Sequence, residues 1–233
     1  PIILSGLKVA EMIFKKMDPN CIFQTSYKDG ELVKEGETFA IVTGNAQALL
    51  TAERVALNLV QRMCGIASLT AQYVKEIEGT EAKLLDSRKT TPGLRMIEKY
   101  AVVCGGGRSH RLGLDNGIML KDNHIAVAGN ITAAVQRAKF HAPILTKIEV
   151  ECDHLDQVKE AMASGVDVIM LDNMSNEDMI KSVKIVGKRI PLECSGGVRL
   201  ETVRGKAETG VDYISVGRIT QSATCVDIGL DDV

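Results

Sequence analysis

Residues 148–217 read IEVECDHLDQVKEAMASGVDVIMLDNMSNEDMIKSVKIVGKRIPLECSGGVRLETVRGKAETGVDYISVG, and their rhythm decides the fold. Ile148–Glu151 reads as a strand. A helix from Asp153 to about Ser164 follows, capped by Asp153, striped by Leu155, Val158, Ala161 and Met162, and stopped by Gly165. The strand Val168–Leu171 comes next, then a helix carrying Met179, Ile180, Val183 and Val186 that stops at Gly187. Pro191–Glu193 reads as a strand, with a helix through Leu200, Val203 and Ala207 behind it, stopped by Gly210. Tyr213–Val216 is the last strand. The polar strand ends fall at Glu151, Asp172, Ser195 and Gly217, spaced by 21, 23 and 22 residues. Strand and helix alternating at this period require parallel strands joined by crossover helices, which is an α/β architecture. The steady period favours a barrel over a doubly wound sheet, because no GxGxxG opens a helix and no halfway switch point shows.

Working outward, Ala82–Asp86 and Gly117–Leu120 read as two earlier strands of the same sheet, and Val102–Cys104 as a further one. Residues 1–63 differ. A helix around Val9–Met17 precedes alternating segments at Ile22–Tyr27, Glu31–Val33 and Thr38–Thr43, and a long helical stretch runs from Gln47 to Met63. This reads as a small α/β domain leading into the barrel, with boundaries at 1–63, 64–218 and a tail at 219–233. The stretch DGELVKEGETFAIVTG has the look of a biotinyl or lipoyl hairpin but lacks the central lysine such a carrier needs.

Composition narrows the classes of function. The chain has 233 residues, 45% hydrophobic and 25% charged, as in ordinary globular proteins. No apolar run approaches the roughly 20 residues that span a bilayer, and the first residues lack the pattern of a signal peptide. The expected location is therefore the cytoplasm. Pro1 stands where a gene product carries Met, so the natural chain is expected to begin earlier. A net charge of −2 gives no global pull toward nucleic acid, and with no Trp and 3% aromatics there are few stacking platforms for bases, so no nucleic-acid partner is expected. Six scattered cysteines without a CxxC pair fit a reducing compartment and offer no zinc site.

The chemistry belongs at the carboxyl ends of the strands, where α/β barrels place it. Ser195-Gly196-Gly197 and Ser215-Val216-Gly217 form glycine-rich turns after the last two strands. Glycine admits backbone N–H groups close to phosphate oxygens, though it also simply permits tight βα turns. Cations gather at other strand ends: Arg88 and Lys89 after Asp86, His110 and Arg111 after a glycine run, and Lys121 after Leu120. Arg54 lies in the long helix of the small domain. Converging cations suit a substrate with more than one carboxylate. Glu151 and Asp172 interrupt apolar strands at their ends, either as partners of nearby cations or as groups that hold Mg²⁺, directly or through water. Structural roles are expected of His124 and Glu149.

The block DSRKTTPGLRMIEKYAVVCGGGRSHRLGLDNGIMLKDNHI, residues 86–125, resembles the signature of quinolinate phosphoribosyltransferases. The likeness continues through TAERVALNLVQRMCGIASLTAQYV (51–74), IEVEC, VIMLDNM, ECSGGV and VDYISVG, so it covers nearly the whole chain. It implies an incomplete, seven-stranded α/β barrel beside a smaller N-terminal α/β sandwich, and a homodimer or higher homo-oligomer with shared active sites. It implies that Arg54 reaches into a partner's site, and that Arg88, Lys89, Thr90, His110, Arg111 and Lys121 surround quinolinate and neighbouring phosphate. Glu151 and Asp172 would meet the ribose and its Mg²⁺, with Lys121, Glu151 and Asp172 as the catalytic set. Ser195, Gly196, Gly197 and Gly217 would receive the 5-phosphate of phosphoribosyl pyrophosphate. The implied reaction transfers phosphoribosyl to quinolinate with decarboxylation, giving nicotinate mononucleotide for NAD biosynthesis. Three departures stand out: Ser87 for Thr, Arg108-Ser109 for Val-Asn, and Arg218 and Gln221 in place of smaller or His residues. Other readings are a relative acting on nicotinate or tied to molybdenum transport, a Schiff-base lyase using Lys121, and a non-catalytic anion-binding module.

Overall fold

The computed structural model describes residues 1–231 and divides them into two compact units. The first unit comprises Pro1–Val74, Lys89–Arg108 and the segment from Gly217 onward. The second comprises Lys75–Arg88 and Ser109–Val216.

In the first unit the chain forms β1 (Ile2–Ile3), α1 (Leu7–Met17), β2 (Ile22–Gln24), β3 (Leu32–Val33), β4 (Ile41–Thr43) and α2 (Ala46–Glu76). β1 pairs with β3 and β2 with β4, both antiparallel. Leu4, Phe14, Val33, Ala56 and Val60 make the core of this part, and each buried Leu, Val or Phe contributes roughly 1.5–3 kcal/mol. α2 runs past the expected end at Met63 because Cys64, Ile66, Ala67, Thr70 and Tyr73 continue a buried stripe.

The rest of the chain supplies β5 (Lys83–Leu85), α3 (Arg95–Cys104), β6 (Ile118–Leu120), α4 (Asp122–Ala128), α5 (Ile131–His141), β7 (Ile148–Cys152) and α6 (Leu155–Ala163). It closes with β8 (Val168–Asp172), α7 (Asn176–Val186), β9 (Leu192–Ser195), α8 (Leu200–Ala207), β10 (Tyr213–Ser215) and α9 (Arg218–Gln221). α3 and α9 belong to the first unit, and the six strands β5–β10 to the second. They pair in the order β5-β10-β9-β8-β7-β6, every pairing parallel. Val150, Ile169, Leu171, Cys194 and Ile214 are fully buried, as expected of strands covered on both faces. Ser175 caps α7 by accepting from the Asp178 N–H at 3.1 Å, and Gly187, at φ 57°, ends it.

Two expectations fail. Val102–Cys104 is helix, not strand: α3 buries Glu98, Ala101 and Val102 at helical spacing, and that packing overrides the β-branched pair. Asp153 does not cap the following helix. His154 stands at that position, and Gln157 Oε1 reaches back to accept the Asp153 N–H at 2.7 Å. The helices α4 and α5 were not foreseen. All six cysteines are free thiols, and no helix among the described residues is long and apolar enough to cross a membrane.

Candidate functional site

In the second unit the parallel register brings several of the expected residues to one edge of the sheet. Leu120 lies opposite Val150, Glu151 opposite Met170, and Asp172 opposite Ser195, so Lys121, Glu151, Asp172 and Ser195 leave their strands at the same end. Lys121 Nζ is ion-paired with Glu151 Oε2. The backbone of Lys121 is held as well: its N–H donates to Nδ1 of His124 at 2.9 Å, at the start of α4. This is the structural role expected of His124.

Asp172 is half-buried, and its Oδ2 accepts from Asn173 Nδ2 at 2.6 Å. Asn173 itself sits at φ 53°, a conformation that Asn tolerates better than most residues. Beside it, Gly196 (φ 89°) and Gly197 (φ 60°) turn the chain out of β9. A cavity of about 430 Å³ opens here, lined by Asn173, Asn176, Gly196, Gly197, Thr202 and Lys206. A side chain at position 196 would meet Asn173 Oδ1 at 2.2 Å, so the close approach demands glycine.

The cations of this unit are tethered. Arg111 Nη1 donates to Gly117 O at 2.9 Å, and burial followed by the charge of Arg88 lowers its pKa. Asp86, fully buried at the end of β5, accepts from the His110 N–H at 2.8 Å and the Ser109 hydroxyl at 3.4 Å. Ser109, one of the departures from the family pattern, therefore helps fasten the loop that carries His110 and Arg111.

His110 is enclosed by two strands. Its Nε2 lies 3.2 Å from Glu149 Oε2 on β7 and 3.3 Å from Glu193 Oε2 on β9, and its Nδ1 lies 2.7 Å from the backbone nitrogen of Arg111. Burial works to strip the imidazole of its proton, but the hydrogen bonds to Glu149 and Glu193 outweigh it and move the pKa up to about 10. Burial is also the main reason that Glu149 is raised. These three donor groups lie within 4.8 Å of one another and form the one such cluster among the described residues. Two carboxylates that close on one ring nitrogen make this a proton-sharing cluster, with Nε2 of His110 facing both.

The remaining candidates lie in the first unit. Arg54 is on an exposed stretch of α2, with its Nη2 3.9 Å from Glu53 Oε1. The carbonyl of Lys89 accepts from Thr220 Oγ1 at 2.8 Å, and Thr90 Oγ1 accepts from Arg95 Nε at 3.0 Å. Gly217 precedes α9 in ordinary right-handed geometry, φ −67°. Sequence reasoning missed Asp86 and Glu193 as site-shaping groups. The available signal was a carboxylate inside an apolar strand, as in LEC at 192–194.

The fold and this edge define a class: a parallel α/β protein whose strand ends carry carboxylates, tethered cations and a glycine-lined cavity. Residues 1–64 match the model of the quinolinate phosphoribosyl transferase N-terminal domain, and residues 66–231 that of the C-terminal domain. The chain is 44% identical over 229 residues to a probable nicotinate-nucleotide pyrophosphorylase [carboxylating] of Bacillus subtilis, covering 98% of this chain and 79% of that one. It is 42% identical to the chloroplastic nicotinate-nucleotide pyrophosphorylase [carboxylating] of Arabidopsis thaliana, covering 98% and 70%. The solved nicotinate-nucleotide pyrophosphorylase of Ehrlichia chaffeensis superposes with a TM-score of 0.94 at 44% identity, over 99% of this chain and 84% of that one. The chain belongs to the quinolinate phosphoribosyltransferase family.

Proposed function

We propose that this chain transfers phosphoribosyl from phosphoribosyl pyrophosphate to quinolinate, releasing pyrophosphate and carbon dioxide and giving nicotinate mononucleotide for NAD biosynthesis. One observation carries the reading: Lys121, Glu151, Asp172 and Ser195 leave a parallel sheet at one edge, next to the cavity at Gly196 and Gly197. Arg88, Lys89, Thr90, His110, Arg111 and Lys121 bind the two carboxylates of quinolinate and adjacent phosphate. Ser195, Gly196, Gly197 and Gly217 receive the 5-phosphate through short turns and backbone N–H groups.

As the bond from ribose C1 to pyrophosphate breaks, C1 gains positive charge, which Glu151 and Asp172 stabilise while the pyridine nitrogen attacks. Loss of carbon dioxide then leaves an electron pair on the ring carbon beside the quaternised nitrogen, whose positive charge stabilises it, and a proton from water takes the vacated position, so no protein nucleophile is needed. Lys121, engaged with Glu151, is placed to orient anions rather than to form a Schiff base. Mg²⁺, when bound, neutralises the pyrophosphate. Glu151 and Asp172 would hold its hydrated ion, since Mg²⁺ keeps several waters and takes one or two carboxylates.

Family resemblance extends the reading to an incomplete seven-stranded barrel with an N-terminal sandwich at 1–63, to a cytoplasmic setting, and to a homo-oligomer in which Arg54 serves a partner's site. The test is turnover of quinolinate with phosphoribosyl pyrophosphate and Mg²⁺, following nicotinate mononucleotide and carbon dioxide. Folded protein that makes no product, or that turns over nicotinate equally well, overturns the reading.

A further inference from the structure

The segment Ser87–Gly93, SRKTTPG, carries three of the proposed substrate contacts, yet Lys89 and Thr91 are exposed and the stretch has no regular structure. Exposed irregular segments are ordinarily mobile. Here three consecutive residues are each fastened to groups within the first unit. The Lys89 carbonyl accepts from the hydroxyl of Thr220, a fully buried residue, at 2.8 Å. Thr90 Oγ1 accepts from Arg95 Nε at 3.0 Å. The Thr91 N–H donates to Oε2 of Glu98, also fully buried, at 3.1 Å.

Behind these contacts stands Arg62 of α2. Its Nε donates to Glu98 Oε1 at 3.1 Å, its Nη1 to the Ala223 carbonyl at 2.6 Å, and its Nη2 to the Thr220 carbonyl. One guanidinium therefore braces both anchors, Glu98 on α3 and Thr220 on α9. Burying such an ion pair rarely adds net stability over apolar packing, and its better-attested use is to specify one conformation.

We infer that Thr220 and Glu98, braced by Arg62, are positioning residues that hold the backbone at Lys89 and Thr91, and so fix Lys89 and Thr90 in their binding conformation. The inference rests on the proposed function for its kinetic readout and on backbone exchange for a readout independent of it.

The decisive variant is Thr220→Val, which keeps the volume and removes the hydroxyl, with Thr220→Ser as its conservative partner. The expected result for Thr220→Val is a KM for quinolinate or phosphoribosyl pyrophosphate raised on the order of tenfold. Its kcat and thermal midpoint should stay close to the parent's, and Thr220→Ser should restore the parental KM. Hydrogen exchange at the peptide containing Thr91 should quicken in Thr220→Val and not in Thr220→Ser. Parental KM and parental exchange in Thr220→Val overturn the inference, as does a Thr220→Ser variant as impaired as Thr220→Val. Should Thr220→Val fail to fold, Arg62→Lys decides. It keeps the charge beside Glu98 but loses the forked donation, so it should show the same raised KM and faster exchange, and parental values there overturn the inference. If the parent protein itself fails to turn over quinolinate, the functional reading falls while the exchange comparison still judges the positioning role.

Discussion

Gly196 and Gly197 stand side by side, both at positive φ, yet replacing them should have unequal consequences. An alanine at 197 meets nothing within 4 Å, so its cost is the left-handed backbone alone, about 1–2 kcal/mol. An alanine at 196 bears a similar backbone cost and places its Cβ 2.2 Å from Asn173 Oδ1, 2.5 Å from Cγ and 2.8 Å from the backbone nitrogen. The backbone nitrogen cannot swing aside as a side-chain end can, because it donates to the Ser195 carbonyl at 3.0 Å. Forced repacking of this kind adds about 1–3 kcal/mol. Gly196→Ala should therefore lose about 2–5 kcal/mol of unfolding free energy in urea, against about 1–2 kcal/mol for Gly197→Ala. Displacing Asn173 also disturbs its hydrogen bond to Asp172, so kcat should fall in Gly196→Ala beyond any change in KM for phosphoribosyl pyrophosphate. Equal stability losses in the two variants, or a larger one at 197, would refute the steric argument. An unchanged kcat in folded Gly196→Ala would refute the link to Asp172.

Three further outcomes are expected. Arg54→Ala and Lys121→Ala should each be inactive alone, and mixing them with proven subunit exchange should recover part of the activity; no recovery removes the shared-site proposal. The His110 pKa is raised from 6.5 to about 10, so the stability this group contributes is complete below pH 6.5 and is lost as pH rises toward 10. Urea unfolding across that window should show the decline, with a shallower slope in Glu193→Gln; identical slopes would disconnect His110 from its carboxylates. Burial pushes the thiols of Cys64 and Cys152 up to about 12 and Cys194 to about 11, whereas Cys225 is exposed. Alkylation of native protein near neutral pH should mark Cys225 and spare those three until denaturation, and peptide mass mapping reads the difference.

The parts of the fold that were legible are those with a strict period. From Ile148 to Gly210 each strand is followed by a helix with a glycine stop, and local pattern coincides with tertiary arrangement. Val102–Cys104 misled because three residues of β-propensity carry no information about what α3 packs against. The strand-end residues Glu151, Asp172 and Ser195 were legible because position in a parallel sheet determines where they emerge. Asp86 and Glu193 were not, since their partners, Ser109 and His110, come from a loop whose path no local pattern describes. Arg62 and Glu98 are separated by 36 residues and meet through the packing of two helices, which leaves no signature in spacing.

β7 shows how one short pattern yields two chemistries. In IEVEC the side chains alternate, so Ile148, Val150 and Cys152 share one face while Glu149 and Glu151 share the other. Ile148, Val150 and Cys152 are buried at 3%, 0% and 0% exposure, so an apolar layer covers their face. On the opposite face the two carboxylates differ only in depth. Glu149, one step further from the strand end, is closed in with His110 and Glu193, and its Oε1 finds no partner. A carboxylate in that setting gains by sharing a proton, because an extra unpaired charge there is costly. Glu151, at the edge, is partly exposed and has its charge compensated by Lys121. The same residue type therefore braces the imidazole at one level and pairs with Lys121 at the strand end at the next. The two-residue step between them, rather than the identity of either residue, divides support from chemistry.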